Sequence, residues 1–283
     1  MSRPRTVHRC RLCGATTSRW AGRCPSCGEW NSLAEEAVPH PAVAAPAARG
    51  PAHLRGSGAM TSVSDAAVAL ADVDLEAAGP SPTGLDELDR VLGGGLVPGS
   101  VTLLGGEPGV GKSTLLLQVL RIRAGTGTPV LLVCAEESAR QVRLRAERLG
   151  PLSDGVALLP TTDVSAVPAA LADTGAELVV VDSIQAVRDP ATSGPAGSLA
   201  QVRACTELLV GLAKSTAVPV VLVGHVTKDG GLAGPRHLEH AVDTVLTVEG
   251  DRHHALRTVR AVKHRFGPTG ELGLFEMLDT GLA

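Results

Sequence analysis

The clearest chemistry in this chain belongs to eight consecutive residues, Gly106-Glu107-Pro108-Gly109-Val110-Gly111-Lys112-Ser113. They have the G-x-x-x-x-G-K-[ST] spacing of a phosphate-binding loop, and Thr114 follows them. The glycines let backbone N–H groups surround phosphate oxygens, Lys112 brings a positive charge to the β- and γ-phosphates, and Ser113 offers a hydroxyl to Mg²⁺. A glycine-rich turn that binds nothing would not need the Lys-Ser-Thr run. The segment therefore predicts a site for a nucleoside triphosphate and Mg²⁺.

Two carboxylates are candidates for the chemistry at this site. Asp182 ends an apolar run, which is the pattern of an aspartate that holds Mg²⁺ at the end of a buried strand. Glu136 follows another apolar run, and ligands of parallel sheets bind at the carboxyl ends of the strands. We interpret Glu136 as the base that positions and deprotonates the attacking water. The alternative, in which the Glu pair and Ser138 only cap the next helix, fits Glu137 better than Glu136.

Four cysteines near the N-terminus form two C-x2-C pairs that are ten residues apart: Cys10, Cys13, Cys24 and Cys27. Two such knuckles can hold one tetrahedral Zn²⁺, and four thiolate ligands make a zinc site structural. A redox C-x-x-C is the alternative, although such motifs occur singly beside a βαβ unit, and His8 could replace one ligand. Metal binding, on the order of 10–16 kcal/mol, would supply the folding free energy of so small a module.

The elements that must position these residues alternate between strands and helices. Apolar runs at 101–104, 130–134, 156–159, 178–181 and 220–223 predict strands, and helices are centred near residues 118, 143, 169 and 207. This alternation predicts an α/β fold with a mostly parallel sheet and helices on both faces. Three later runs, without helices between them, predict hairpins that complete the sheet: 244–248, 256–261 and 273–276.

Composition divides the 283 residues into three parts. We predict a zinc-binding ribbon at 1–33, a flexible Ala/Pro-rich linker at 34–79 and an ATPase-like domain at 80–283. A net charge of -3 excludes a globally basic nucleic-acid coat protein, but it allows DNA to be held by a few loops. Neither a signal peptide nor a membrane-spanning run is found, and the clustered cysteines favour a cytoplasmic location.

The chain resembles the bacterial RadA (Sms) family. The matching segments are the cysteine knuckles with Trp20 and Trp30, the run 83–95 that leads into the phosphate loop, and the segments 224–230, 233–240 and 263–267. The resemblance covers the whole chain except the linker. The sequence departs from the family in two ways: His264 stands where the family has Asn, and the chain ends where the family continues into a Lon-protease-like domain.

The resemblance implies a RecA-like ATPase core that uses ATP and Mg²⁺ and assembles into a hexameric ring on single-stranded or branched DNA. It implies an enzyme of recombinational DNA repair that drives branch migration alongside the RecA recombinase. Lys263 and Arg265 would then reach the ATP of the neighbouring subunit, where a cation stabilises the charge of the transition state. Lys228, Arg236 and Arg203 would contact DNA phosphates.

The sequence leaves two other functions open. The first is an ATP-switched scaffold whose ribbon binds a repair partner, with little motor activity. The second is a KaiC-like ATPase that acts on protein, which the four-cysteine ribbon and the segment 263–267 argue against.

Overall fold

The computed structural model describes residues 5–17, 19–38, 70, 79–224, 237–250 and 255–283. The chain divides into two compact units, Met1–Val73 and Asp74–Ala283. Within the described residues, no helix is long and apolar enough to cross a membrane.

The larger unit is built on a nine-stranded sheet. Its strands are β4 (Val101–Gly106), β5 (Val130–Cys134), β6 (Val156–Pro160), β7 (Val179–Asp182), β8 (Val220–Val223), β9 (Thr244–Gly250), β10 (Leu256–His264), β11 (Leu272–Leu278) and β12 (Gly281–Leu282). Their order across the sheet is β12-β11-β10-β9-β4-β8-β7-β5-β6. The strands from β9 to β6 pair in parallel, whereas β9 to β12 pair antiparallel. The predicted parallel sheet and its closing hairpins are confirmed.

Helices cover both faces of the sheet, because its central strands are apolar on both sides. Leu104 and Leu132 face one apolar cluster, and their neighbours Leu103 and Leu131 face a second cluster on the other side. The core is almost purely aliphatic, and Phe275 is the one aromatic side chain buried in it. The helices are α1 (Asp86–Val91), α2 (Lys112–Gly125), α3 (Ala139–Arg148), α4 (Val167–Thr174), α5 (Leu199–Thr216) and α6 (His237–Ala241).

The last strand is fixed to the helix that follows the phosphate loop. The Gln118 amide on α2 donates to the carbonyl of Leu282 at 2.9 Å and accepts from the N–H of Leu282 at 2.8 Å. Because Gln118 is buried, both bonds are shielded from water and keep the end of the sheet against α2.

The smaller unit contains a three-stranded antiparallel sheet in the order β2-β1-β3. Its strands are β1 (Arg5–Cys10), β2 (Thr16–Thr17) and β3 (Leu33–Val38). β3 pairs with β1 along its whole length, from Leu33 opposite Cys10 to Val38 opposite Arg5. β3 thus extends five residues beyond the predicted end of the ribbon at residue 33. Most of the predicted linker lies outside the described residues.

Candidate functional site

The phosphate loop lies at the carboxyl end of the central strand β4, between Gly106 and the start of α2. Gly106 has φ 156° and Gly111 has φ 114°, in the region that favours glycine. A Cβ on Gly106 would lie 2.6 Å from the carbonyl oxygen of Val248 on the adjacent strand. The first turn of α2 contains no acidic residue, so the positive end of the helix dipole is open to an anion.

Lys112 is the buried cation of this loop. Its side chain is 4% exposed, and its Nζ donates to the carbonyls of Gly106 at 2.8 Å and Glu107 at 2.9 Å. Burial lowers the pKa of Lys112, and the negative charges of Asp182 and Glu136 oppose that shift. The structure therefore brings both predicted carboxylates close to the predicted phosphate-binding lysine.

The two carboxylates are held by different contacts. Cys134 and Asp182 are paired in register, so β5 and β7 end side by side. Glu136 follows β5, and its carboxylate accepts a hydrogen bond from the hydroxyl of the fully buried Ser183. This contact places Glu136 next to Asp182, as water activation beside a bound Mg²⁺ would require.

Glu137 faces a different partner. Its carboxylate pairs with Arg145 of α3 at 3.0 Å, and Arg145 also lies 4.0 Å from Asp182. Ser138, which the sequence pattern named with the Glu pair as a helix cap, caps α3, and its hydroxyl accepts from Gln141 N–H. Glu137 thus fixes an arginine at the edge of the site.

Arg257 is a contact to the loop that the sequence analysis missed. It is 8% exposed on β10, and its Nε donates to the carbonyl of Val110 at 3.1 Å. An Nη donates to the carbonyl of Leu256 at 2.9 Å. The only sequence signal is an arginine at an inward position of a strand whose other inward residues, Val259 and Ala261, are apolar. Arg257 holds the phosphate loop from the antiparallel half of the sheet.

Lys263 lies at the other end of the same strand, and Arg265 directly follows the strand. Nζ of Lys263 donates to the carbonyls of Glu239 at 2.7 Å and Val242 at 2.6 Å, at the carboxyl end of α6. Burial and the charge of Arg265 lower the pKa of Lys263. Arg265 is half-exposed and pairs at 3.3 Å with the buried Asp243. Both predicted cations are therefore attached to their own chain around Asp243.

The register of the sheet separates these cations from the chain's own phosphate loop. Thr244 pairs with Thr102 on one side and His264 on the other, whereas Val248 pairs with Gly106. Thr244 and Val248 are four residues apart on β9, which is a distance of about 13 Å along the strand at ~3.3 Å per residue. Lys263 and Arg265 flank His264, so they lie at the end of the sheet opposite the loop.

His264 stands between the two cations in its own set of contacts. Its Nδ1 lies 3.1 Å from the hydroxyl of Thr244 and its Nε2 lies 3.1 Å from the carbonyl of Leu92. The imidazole thus ties the end of β10 to β9 and to the end of α1. His264, the residue that departs from the family pattern, therefore has a structural role, because it connects these three elements.

One of the three predicted DNA contacts lies in the described part of the chain. Arg203 is exposed on α5 and pairs with Glu207 at 2.8 Å. Lys228 and Arg236 lie outside the described residues. The predicted roles of all three remain predictions.

The four ribbon cysteines converge on one point. Their sulfur atoms all lie within 4.8 Å of one another, with Cys10–Cys27 at 3.7 Å and Cys13–Cys24 at 3.5 Å. A tetrahedral zinc with Zn–S bonds of ~2.3 Å requires S–S distances of about 3.8 Å, so the set fits Zn²⁺. Burial and the neighbouring thiols raise the pKa of Cys13 to about 12. Four thiolates packed this closely would repel one another, and a bound cation would offset that repulsion.

The fold and the site define a P-loop ATPase with a RecA-like core and a four-cysteine zinc ribbon. A family model described as AAA domain matches residues 68–231, and a rubredoxin metal binding domain model matches residues 8–35. The chain belongs to the AAA domain family. ATP, Mg²⁺ and Zn²⁺ are the cofactors of these two domains.

Curated relatives confirm the resemblance to RadA. The chain is 47% identical to the DNA repair protein RadA of Mycobacterium tuberculosis (strain H37Rv) over 100% of its length and 57% of that protein. It is 43% identical to the RadA of Bacillus subtilis (strain 168), over 100% of the chain and 60% of the relative. The chain therefore spans about 60% of the length of the curated relatives it matches.

A solved structure shows the same core. The crystal structure of the RadB recombinase matches with a TM-score of 0.55 and 27% identity, over 71% of this chain and 97% of that chain. This likeness confirms the RecA-like fold that the sequence predicts.

Proposed function

We propose that this chain is a DNA-dependent ATPase of recombinational DNA repair that drives branch migration and unwinding on single-stranded DNA as a ring. The supporting observation is the convergence of Lys112, Asp182 and Glu136 at the carboxyl end of the sheet. Lys112 and Ser113 would bind the triphosphate, and Ser113 and Asp182 would bind Mg²⁺. Glu136 would activate the attacking water.

The position of Lys263 and Arg265 supports a ring rather than a monomer. Both cations lie at the end of the sheet that is opposite the phosphate loop of their own chain. In a head-to-tail ring, however, the end of the sheet that carries these cations in one subunit would face the phosphate loop of the next subunit. Arg265, which is half-exposed, would there stabilise charge on the neighbour's γ-phosphate. A hexamer is the assembly that the family resemblance favours.

The names of the relatives support the process and the partners. Curated relatives that match the whole chain are DNA repair proteins, and a structural neighbour is a recombinase. We therefore assign single-stranded or branched DNA as the polymer, with contacts from Lys228, Arg236 and Arg203, and RecA recombinase as a partner.

The test is steady-state ATP hydrolysis with and without single-stranded DNA, with Lys112→Ala as the inactive control. We expect DNA to raise the turnover rate of the intact chain and to leave the variant at background. If DNA neither binds nor changes turnover, the motor function is wrong. The ATP-switched scaffold, whose ribbon binds a repair partner, would then be favoured.

A further inference from the structure

Both tryptophans of the chain are exposed on the zinc ribbon. Trp20 is 63% exposed and Trp30 is 68% exposed, and the sequence contains no third tryptophan. Each indole is a large apolar surface whose burial would be worth a few kcal/mol, so leaving both in water is costly. The ribbon therefore has an exposed aromatic surface whose burial by a ligand would be favourable.

The two rings lie beside each other around Gly22. The point at which a Cβ of Gly22 would stand is 3.7 Å from Cζ3 of Trp30 and 4.0 Å from Cη2 of Trp20. Because of these two distances, Cζ3 of Trp30 and Cη2 of Trp20 are at most about 8 Å apart. One flat ligand can therefore touch both indoles, and Gly22 adds no side chain between them.

The surroundings of the rings are positively charged. The guanidinium carbon of Arg23 lies 5.9 Å from the centre of the Trp30 ring, and its Nε donates to the carbonyl of Gly28 at 2.6 Å. Arg9, Arg11 and Arg19 are also exposed, and between residues 5 and 38 five arginines outnumber three acidic residues, Glu29, Glu35 and Glu36. The negative charge of a zinc–thiolate centre is partly enclosed, because Cys10 and Cys24 are buried. The exposed charge thus favours a polyanion.

Flat rings, a clamped arginine and exposed cations are the parts of a single-stranded nucleic-acid site. Bases stack on the indoles, and phosphates pair with the arginines. A duplex fits less well because its bases are already stacked on one another. We propose that Trp20, Trp30 and Arg23, here called the tryptophan face, bind single-stranded nucleic acid. This site is separate from the residues proposed above for DNA contact.

The test uses the intrinsic fluorescence of the full chain. Because the sequence has two tryptophans and no tyrosine, its emission reports on the tryptophan face alone. The zinc-loaded chain is titrated with an oligo-dT strand in the absence of nucleotide. We expect saturable quenching of the emission. With stacking worth ~1–3 kcal/mol per base, Trp30→Ala should raise Kd, measured with a labelled strand, roughly 5- to 150-fold.

Two controls separate stacking from charge and from loss of the fold. An abasic strand of equal length has the same phosphates without bases, and we expect it to leave the emission unchanged. Leu12→Ala removes another exposed apolar side chain of the ribbon, and we expect it to leave Kd unchanged. Zinc content is measured for every variant, and Trp30→Phe should restore much of the affinity because it keeps an aromatic ring. Arg23→Gln should reduce the slope of log K against log[salt] by about 0.7.

The proposal is overturned if oligo-dT leaves the emission unchanged, or if the abasic strand quenches equally. Unchanged emission together with DNA-stimulated ATP hydrolysis would place the DNA contact in the ATPase domain alone and leave the proposed function intact. A ribbon that binds a protein partner instead would also leave the emission unaffected by DNA. Quenching without stimulated hydrolysis would uphold the tryptophan face and contradict the motor function.

Discussion

Arg257 Nε donates a 3.1 Å hydrogen bond to the carbonyl of Val110, and this bond joins β10 to the phosphate loop. The two residues are 147 positions apart in the chain. Arg257 stands six residues before Lys263 on the same strand, so β10 extends from the chain's own nucleotide loop to the cations at the opposite end of the sheet. If the ring forms as proposed, this strand links two successive ATP sites.

We expect Arg257→Gln to weaken ATP binding. The change would leave the buried carbonyl of Val110 without this donor, at a cost of ~1–3 kcal/mol, so the KM for ATP should rise about tenfold while kcat changes less. ATP-dependence of hydrolysis measures both constants. Arg260→Gln is the matched control, because Arg260 lies on the same strand but forms an exposed ion pair with Glu249 at 2.7 Å. Equal effects of the two changes would contradict a specific role for Arg257.

Glu136→Gln should separate hydrolysis from binding. The substitution keeps a polar group next to Ser183 but removes the base, so kcat should fall by roughly 10²–10⁴ while ATP still binds. Single-turnover hydrolysis and binding of a labelled nucleotide give the two quantities. Glu137→Gln is the comparison, because Glu137 pairs with Arg145. If Glu137→Gln lowered kcat as far as Glu136→Gln did, the assignment of the base would be wrong.

The sequence predicted the elements whose signals are local. Apolar runs identify the strands that are buried on both faces, and the spacing of Gly106 to Ser113 identifies the loop at the end of one of them. The contact of Arg257 with Val110 was not predictable, because an arginine in a strand says nothing about which distant backbone it meets. The strand at 33–38 was not predicted, because the segment 34–38, which includes Glu35 and Glu36, lacks an apolar pattern and becomes a strand only by pairing with β1.

The position of Lys263 and Arg265 needed the register as well as the strands. The pairing of β10 with β9 shifts between Ala261 and Lys263, which leaves Val262 as an extra residue that is 53% exposed. Such a bulge changes the direction of the side chains that follow it. No local sequence pattern predicts this bulge, so the contact of Lys263 with the end of α6 could be found only in the folded structure.

Zinc should be lost from Cys24→Ser but kept by Cys134→Ser. Cys24 belongs to the four-sulfur cluster, whereas Cys134 lies in the sheet of the other unit, where its Sγ donates to the carbonyl of Glu137 at 2.7 Å. A metal assay should find about one zinc per chain before the change and far less after it, since zinc binding is the folding free energy of such a module. A ribbon that stays folded without metal, with unchanged tryptophan emission, would contradict the structural role.

Two inactive variants should restore activity when they are mixed, if the cations act between subunits. Lys112→Ala removes the loop lysine and Arg265→Ala removes the half-exposed cation, which is expected to cost 10³–10⁵ in rate. In a mixed ring, the loop of an Arg265→Ala subunit can meet the intact Arg265 of a Lys112→Ala subunit. With random assembly and independent interfaces, about a quarter of the sites would be complete.

The measurement is ATP turnover after the two variants have been unfolded and refolded together. We expect a rate near one quarter of the intact chain's rate, far above either variant alone. The control mixes Lys112→Ala with the double variant Lys112→Ala/Arg265→Ala, in which no interface is complete, and it should stay at background. If the first mixture also stays at background while sedimentation shows mixed rings, Arg265 does not act across the interface. Its ion pair with Asp243 would then be its whole role.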